Sequence, residues 1–236
     1  MSADPSSMAI DGRRLALRGL VVAVLASPFT ARLAGIGTAH AEDPRIALLE
    51  AVRLDDVDTV KRLLAASVSP NLREKAHGPA IVMAAKLDSF ASLAELARAP
   101  GVDLEATDST GQTALMLAAI KGHARSVSLL LERGAKVDGR AGWTALHYAA
   151  SGGHVEVARI LIRHGANLDA RSDNGTTPAM LAARQKQFST LELLADTGAD
   201  LAAVNERGMN VIRYLEAHGE KERAADIRER IARRRR

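Results

Sequence analysis

An internal repeat of about 33 residues is the feature that most constrains how this chain can fold. The segments GQTALMLAAIKGH at Gly111, GWTALHYAASGGH at Gly142 and GTTPAMLAARQKQ at Gly175 align residue for residue, and a more degenerate unit begins at Gly208. An aliphatic segment and then Gly-Ala follow each of the first three. Such a period is typical of solenoids, whose units stack on their neighbours. The sequence therefore predicts a stacked helical array.

Each repeat carries its own signals for where its two helices begin and end. A threonine stands where the first helix begins, and its hydroxyl can cap free backbone N–H groups. These threonines are Thr113, Thr144 and Thr177. Pro178 suits the first helical position, where no N–H is needed. A glycine follows each second helix, where a left-handed residue is favoured. These glycines are Gly134, Gly165 and Gly198.

The composition favours an all-helical array over a sheet sandwich. Aromatic residues make up 3% of the chain and the hydrophobic set as a whole 47%, so the core must consist mainly of alanine and aliphatic side chains. The recurring Ala-Ala pairs let helices pack closely. The chain has no cysteine, which excludes disulfides, thiol catalysis and thiolate metal sites.

The repeat resembles the ankyrin repeat, whose pattern runs G-x-T-P-L-H-x-A-A-x-x-G-H, then a second helix and G-A-x-x-N/D. The resemblance implies an all-α ankyrin-repeat solenoid of helix-turn-helix units with short hairpin loops, about five repeats followed by a C-terminal cap. Within residues 42–207 the predicted repeats are 43–76, 77–107, 108–138, 139–171 and 172–204, and residues 208–236 form capping helices with a basic tail. The third to fifth repeats match closely, whereas the second has Pro79 in place of the threonine.

Residues 1–41 have the pattern of an export signal. Three arginines precede the apolar run 19–26, and Ala39-His40-Ala41 is a small-x-small cleavage site before Glu42. We expect cleavage after Ala41 and a periplasmic protein. The alternative is an uncleaved segment that anchors the chain in the inner membrane, although the apolar run is shorter than the roughly 20 residues that a spanning helix needs.

The export route stays open between the Sec and twin-arginine pathways. The paired Arg13 and Arg14, followed by apolar residues and Arg18, resemble a twin-arginine signal. Gly12 and Ala16 depart from that pattern.

The histidines and Ser151 are interpreted as architecture. His147 occupies the histidine position of T-x-L-H, and His123 and His154 occupy the G-H position, where the resemblance implies hydrogen bonds to loop backbone. His147 and His154 are separated by a turn, which does not suit a zinc site. Ser151 lies at a variable helix end, unlike a catalytic nucleophile. We therefore expect no catalytic residue, no metal and no cofactor.

The resemblance also implies where a partner would bind. In ankyrin proteins the hairpin tips and the exposed end of the first helix usually form the binding face. Carried over by position, the candidate partner-binding residues are Ser109, Thr110, Gln112, Ile120, Lys121, Arg140, Trp143, Ser151, Asp173, Asn174, Thr176, Arg184, Gln185, Glu206, Arg207 and Met209.

Trp143 is the only tryptophan of the chain and has two interpretations. Tryptophan is enriched among interface hot spots, so Trp143 beside Arg140 is a candidate anchor for a partner. Alternatively, it covers its own hairpin. The hairpin that leads into Gly142 is two residues shorter than the next one, from Asp169 to Gly175. We expect this shortening to notch the surface beside Trp143, and we assign Tyr148 to packing of the inner helix.

Charge narrows the choice of partner. Without residues 1–41 the chain has 28 basic and 26 acidic residues, a balance that gives no general attraction to nucleic acid or membrane. Residues 207–236 are the exception, with ten basic and five acidic residues. Their terminal run, Arg233 to Arg236, is either a solvated tail or a contact to an anionic surface.

The sequence thus predicts a monomeric, non-catalytic protein–protein interaction module or scaffold in the bacterial periplasm. Neither a nucleic-acid partner nor an integral membrane segment is expected after signal cleavage. One alternative is an inhibitor or regulator of a specific enzyme or toxin. The other is a tether that holds the membrane surface through the basic tail.

Overall fold

A computed structural model describes residues 43–139 and 142–234 of the chain. The predicted export signal at 1–41, the candidate Arg140, and the last two arginines, Arg235 and Arg236, lie outside the described residues. Within them, twelve α-helices form six consecutive pairs, and two strands of two residues each form a ladder. The described residues from Leu48 onward form one compact unit.

The helix pairs follow the order of the repeats. They are α1 (Pro44–Arg53) with α2 (Val57–Ala65), α3 (Ala80–Lys86) with α4 (Phe90–Arg98), α5 (Ala114–Ile120) with α6 (Ala124–Glu132), α7 (Ala145–Gly152) with α8 (Val155–Arg163), α9 (Pro178–Arg184) with α10 (Phe188–Thr197), and α11 (Val211–Ala217) with α12 (Lys221–Arg234). The strands β1 (Arg73–Glu74) and β2 (Gly78–Pro79) pair antiparallel before α3. The all-α prediction is confirmed for the repeats, and this short ladder adds to it.

The local signals in the sequence act as predicted. The side chains of Thr113, Thr144 and Thr177 accept hydrogen bonds from the backbone N–H three residues on, at the start of α5, α7 and α9. Pro79, which replaces the threonine in the second repeat, gives no side-chain cap. The three glycines after the second helices have positive φ, between 83° and 110°. The third to fifth units therefore start their first helices and stop their second helices through local signals.

Stacking of successive pairs supplies the core. From α3 to α11 each first helix contacts the first helix of the next pair, and from α2 to α10 each second helix contacts the next second helix. The Ala-Ala pairs of α3, α5, α7 and α9 are fully buried in these contacts, as the close packing of small residues requires. Larger side chains such as Leu130, Leu146 and Leu161 are fully buried beside them. Burial of each contributes about 1.5–3 kcal/mol.

A ladder of hydrogen bonds ties the loops of neighbouring repeats. In each rung an Asn, Asp or Glu side chain accepts a backbone N–H from the following repeat. The donor and acceptor pairs are Asp103 to Asn71, Lys136 to Glu105, Asn167 to Asp138 and Asp200 to Asp169, at 2.7–3.1 Å. The N/D of the repeat pattern therefore has a physical role, which is to satisfy loop N–H groups across the repeat boundary.

Asp108 organises the hairpin before α5. One carboxylate oxygen accepts N–H groups from Thr110 and Gln112 and the hydroxyl of Thr110, at 2.7–3.0 Å. The other pairs with Lys86 at 2.7 Å. Burial alone would raise the pKa of Asp108, but the bonds from Lys86, Gln112 and Thr110 outweigh it and lower the pKa from 3.8 to about 2. The charged form of Asp108 is thus favoured by folding.

Asp108→Asn is expected to lower the free energy of unfolding by about 2 kcal/mol at neutral pH, because a charge-assisted bond to Lys86 is lost. Asparagine can still hold the turn, since Asn205 accepts the equivalent N–H groups of Arg207 and Met209. The pKa of Asp108 is depressed in the fold, so its contribution is present above about pH 4 and disappears as the pH falls toward 2. Urea unfolding of both proteins at pH 7 and pH 3 measures this, and a pH-independent difference would contradict it.

The ring of His154 reaches the preceding repeat through space that is open only because Gly122 has no side chain. Its Nε2 lies 2.8 Å from the carbonyl oxygen of Ile120. A Cβ added at Gly122 would lie 2.5 Å from Nδ1 of the His154 ring, and Gly122 has a φ of +70°. The glycine of the repeat pattern therefore makes room for the histidine of the next repeat.

Gly122→Ala should consequently cost more than an ordinary glycine replacement at positive φ. We expect a loss of about 2–3 kcal/mol, because backbone strain adds to displacement of the His154 ring. Gly134→Ala is the matched control: its φ is +95°, but an added Cβ would meet nothing within 4 Å. That variant should lose only about 1 kcal/mol. Equal losses in the two urea titrations would show that the contact with His154 is unimportant.

Candidate functional site

The hairpins that precede the first helices lie side by side. Glu206 donates its backbone N–H to the carbonyl oxygen of Asn174 at 3.1 Å, and the ring of His147 bonds to the carbonyl oxygen of Thr176 at 3.0 Å. Gln112 donates its amide to the hydroxyl of Tyr148 at 2.9 Å. The hairpin tips therefore form one edge of the array, to which several repeats contribute.

Most of the candidate partner-binding residues are accessible along this edge and at the ends of the first helices. The exposed ones are Ser109, Thr110, Lys121, Asp173, Asn174, Arg184, Gln185, Glu206 and Arg207. The half-buried ones are Gln112, Ile120, Trp143, Ser151 and Met209. Among them, Lys121 is already engaged, since its ammonium pairs with Asp88 at 2.6 Å and donates to the carbonyl oxygen of Lys86 at 3.1 Å.

Thr176 is a correction to the candidate set, because it is only 2% exposed. Its N–H donates to the hydroxyl of Ser172 at 3.1 Å, and its hydroxyl accepts the amide of Asn205 at 3.2 Å. Its carbonyl oxygen is bonded to His147. All its polar groups are satisfied inside the array, so Thr176 fixes the hairpin and is removed from the candidate surface. Its position in the repeat alone could not reveal these distant partners.

A depression of about 420 Å³ lies between the hairpins beside Trp143. We call it the Trp143 depression. Its lining consists of Thr110, Gly111, Gln112, Met116, Gly142, Trp143, Tyr148 and Asp173. Four of the candidate residues thus meet in one place, where the shortened hairpin was expected to notch the surface.

Two aromatic rings form the walls of the Trp143 depression. The ring centroids of Trp143 and Tyr148 are 5.4 Å apart, with planes tilted by 47°. Trp143 also lies 5.8 Å from the ring of His147. It is therefore packed against its own repeat on one side while lining the depression on the other, so both interpretations of Trp143 describe part of its surroundings.

Tyr148, like Met116, is a lining residue that sequence reasoning missed. It packs against the core, as the sequence predicts, but it is only half-buried and also borders the depression. One signal could have identified it: Leu117 and Leu181 occupy the corresponding position in the adjacent repeats. A tyrosine at an aliphatic position adds a polar hydroxyl that needs a partner, and here the partner is Gln112.

The histidines act as structural hydrogen-bonding residues, in agreement with their interpretation from the repeat pattern. His147 is fully buried, and its Nδ1 accepts the backbone N–H of Thr144 at 3.1 Å. Nε2 must then carry the proton that is donated to Thr176, so both ring nitrogens are committed and neither serves Ser151. Burial lowers the pKa of His147 below 6.5, against the opposing effect of the bond to Thr176. His123 caps α6 through Ser126.

The arginines near the C-terminus have partners within the chain. Arg230 pairs with Asp196 at 2.7 Å, and Arg223 lies over the ring of Phe188 at 4.1 Å. Arg234 donates to the carbonyl oxygens of Ala195 and, at 2.8 Å, Ala199, near the end of α10. These arginines hold α12 against α10, and the described part of the tail offers less free positive charge than its sequence indicates.

The described part of the chain presents neither a cluster of metal ligands nor a membrane-spanning helix. Across residues 43–139 and 142–234, no group of three or more histidine, aspartate or glutamate side chains is placed to hold a metal ion. In the same ranges, every helix is too short or too polar to cross a bilayer.

Comparison with models of protein families identifies the repeat. A family model described as ankyrin repeats, in three copies, matches residues 48–141 and 136–205. No curated protein matches the chain. The matched residues include nearly all of the first five helix pairs and stop before the sixth, α11 with α12.

Proposed function

Because the chain belongs to the ankyrin repeat family, we propose that it is a non-catalytic module that binds another protein through its hairpin tips and the ends of its first helices. Ankyrin repeats are generally protein–protein interaction modules, and the family is typically non-catalytic. The observation that supports this face is the Trp143 depression, where an aromatic side chain typical of interface hot spots borders a concave surface.

The mechanism we propose is rigid recognition. The hairpins are held before binding by bonds within and between repeats, such as those of Asp108 to Thr110 and of Glu206 to Asn174. A surface that is ordered in advance loses little conformational entropy when a partner binds. Affinity then depends mainly on how well the partner fits the few residues that differ between repeats.

We further propose that the protein is exported and acts in the periplasm as a monomer. The support is the arginine-led apolar run and the Ala39-His40-Ala41 site in the sequence. The intact mass of the protein recovered from the periplasmic fraction tests the first part, with a chain beginning at Glu42 as the expected result. A full-length chain in the membrane fraction would contradict it.

Site-specific crosslinking tests the binding face. A photocrosslinking residue is placed at Thr110 or at Asn174 in residues 42–236, which leaves Trp143 intact, and the protein is exposed to a periplasmic extract of the source organism. We expect one protein to be crosslinked from both positions and to be displaced by an excess of the unlabelled chain, but not by Trp143→Ala. Glu132 is exposed on α6 and serves as the control position. Equal crosslinking from Glu132 would contradict the proposed face.

A further inference from the structure

The chemistry of the Trp143 depression narrows the kind of partner group that fits it. Trp143 and Tyr148 present two tilted aromatic rings, and Met116 adds an apolar surface. Asp173 supplies a carboxylate at the edge: one of its oxygens would lie 3.3 Å from a Cβ built on Gly142, directly beside Trp143 in the chain. Aromatic faces next to a carboxylate attract a cation, because the face of each ring is negative.

Asp173 is the one charged residue in the described lining of the depression. Asp108 is neutralised by Lys86. His147, behind Trp143, donates from Nε2 and accepts at Nδ1, and this arrangement belongs to a neutral ring. Burial lowers the pKa of His147 as well, so it adds no positive charge at neutral pH. The described lining of the depression therefore carries a single negative charge.

We propose that the Trp143 depression binds a lysine or arginine side chain of the partner protein. The aliphatic stem of such a side chain packs against Met116 and the rings, while its charged end meets Asp173 and the aromatic faces. An acidic side chain would be repelled by Asp173, and a purely apolar one would desolvate that carboxylate without a partner. This inference rests on the proposed function and specifies the chemistry of the same face.

The arrangement occurs once among the third to fifth repeats. The position of Trp143 holds Gln112 in the third repeat and Thr176 in the fifth, and that of Tyr148 holds Leu117 and Leu181. These repeats therefore present a single site of this kind. One basic residue of the partner, bound there, sets the position of the partner along the array.

Peptide titration tests the inference directly. The full exported chain is titrated with acetylated, amidated peptides of sequence Gly-Gly-X-Gly-Gly, where X is arginine, lysine, norleucine or glutamate. The indole of Trp143 is the readout by fluorescence and NMR, since the chain has no other tryptophan. We expect saturable binding of the arginine and lysine peptides, about tenfold tighter than that of norleucine, and no binding of glutamate. Norleucine binding as tight as arginine would overturn the proposal.

Variants of the lining assign the binding to its residues. Asp173→Asn and Tyr148→Leu should each weaken binding of the arginine peptide about five- to tenfold. Tyr148→Leu introduces the residue that the adjacent repeats have at this position. Glu132→Gln removes an exposed carboxylate on α6 and should leave the affinity for the arginine peptide unchanged. Unchanged affinity in Asp173→Asn would overturn the proposal. The series is repeated with Arg140→Ala, and binding seen only in that variant would show that the chain's own arginine competes for the site, which also overturns it.

The crosslinked partner separates this inference from the proposed function. The proposed face and the inference of a basic side chain both stand if Trp143→Ala and Asp173→Asn each weaken binding of the partner. If Trp143→Ala weakens binding of the partner but Asp173→Asn does not, the proposed face stands and the inference of a basic side chain is wrong. If neither variant weakens binding of the partner, the proposed binding face itself is wrong.

Discussion

Replacing His147 by alanine is expected to lower the free energy of unfolding by about 3 kcal/mol. The ring is fully buried and joins the N-terminus of α7 to the next hairpin through Thr144 and Thr176. Alanine would leave a cavity and the N–H of Thr144 without its acceptor, while the carbonyl oxygen of Thr176 would keep only the N–H of Ser172 as donor. The cavity and the lost hydrogen bonds each cost about 1–3 kcal/mol with partial relaxation. Urea unfolding followed by circular dichroism measures the loss.

His147→Met separates the cavity from the hydrogen bonds. Met116 and Met180 occupy the same position in the adjacent repeats, so methionine fills the space in a setting the fold already uses. We expect this variant to lose about 1–2 kcal/mol, which is the part due to the unpaired N–H of Thr144 and the lost bond to the carbonyl of Thr176. A methionine variant as stable as the original would show that the bonds of His147 contribute nothing.

The stability contributed by His147 should also depend on pH. Burial lowers its pKa in the fold below 6.5, so below about pH 6.5 the unfolded chain binds a proton that the folded chain does not. Stability therefore falls as the pH drops from 6.5 toward the lowered pKa and levels off beneath it. His147→Met should lack this part of the decline, although His123, whose pKa is also lowered by burial and by Arg125, retains its share. Parallel pH profiles for the two proteins would contradict the assignment.

The helices could be predicted from the sequence because their determinants are local. Thr144 caps the N–H three residues on, and Gly134 and Gly198 end helices through a backbone geometry that needs no distant partner. The Ala-Ala pairs identify the stacking face by their period. A repeat also makes each of these signals visible several times, which one copy would not.

The residues that escaped prediction depend on partners about 30 positions away. Thr176 is buried because Asn205 and His147 reach its polar groups from adjacent repeats. Arg234 looks like part of a solvated basic tail, yet it caps carbonyl oxygens at Ala195 and Ala199. The position of a residue within the repeat does not tell which side chains of the next repeat will meet it.

The candidate site shows the same division. Trp143 stood out because its position varies between repeats, and the shortened hairpin beside it could be counted in the sequence. The participation of Met116 could not be derived in this way, since it lies on a first helix at a position that otherwise serves packing. For Tyr148 the only signal was a tyrosine at a position that holds leucine in the adjacent repeats. Only the geometry between α5 and α7 brings them to the wall of the same depression.

Leu146→Ala is expected to have an effect as large as any substitution in the array, about 2–5 kcal/mol. Leu146 is fully buried in α7, and α7 contacts both α5 and α9. Loss of its side chain leaves a cavity and weakens the central pair, on which both neighbours stack. In a linear array stability is a sum of contributions from the repeats and from the interfaces between them. Leu146→Ala should therefore lower the urea concentration at which the fourth repeat and its neighbours unfold.

Leu215→Ala provides the matched control, because Leu215 is also fully buried but lies in α11 of the last pair. Its loss should let α11 and α12 unfold early, while the central repeats unfold near the original midpoint. Two probes distinguish the cases: circular dichroism reports on all helices, and Trp143 fluorescence reports on the fourth repeat alone. For Leu215→Ala the dichroism signal should fall at lower urea than the fluorescence, whereas for Leu146→Ala the fluorescence should change no later than the dichroism. Identical shifts of both probes in the two variants would mean that the whole array unfolds as one unit, and the additive description of its stability would then be wrong.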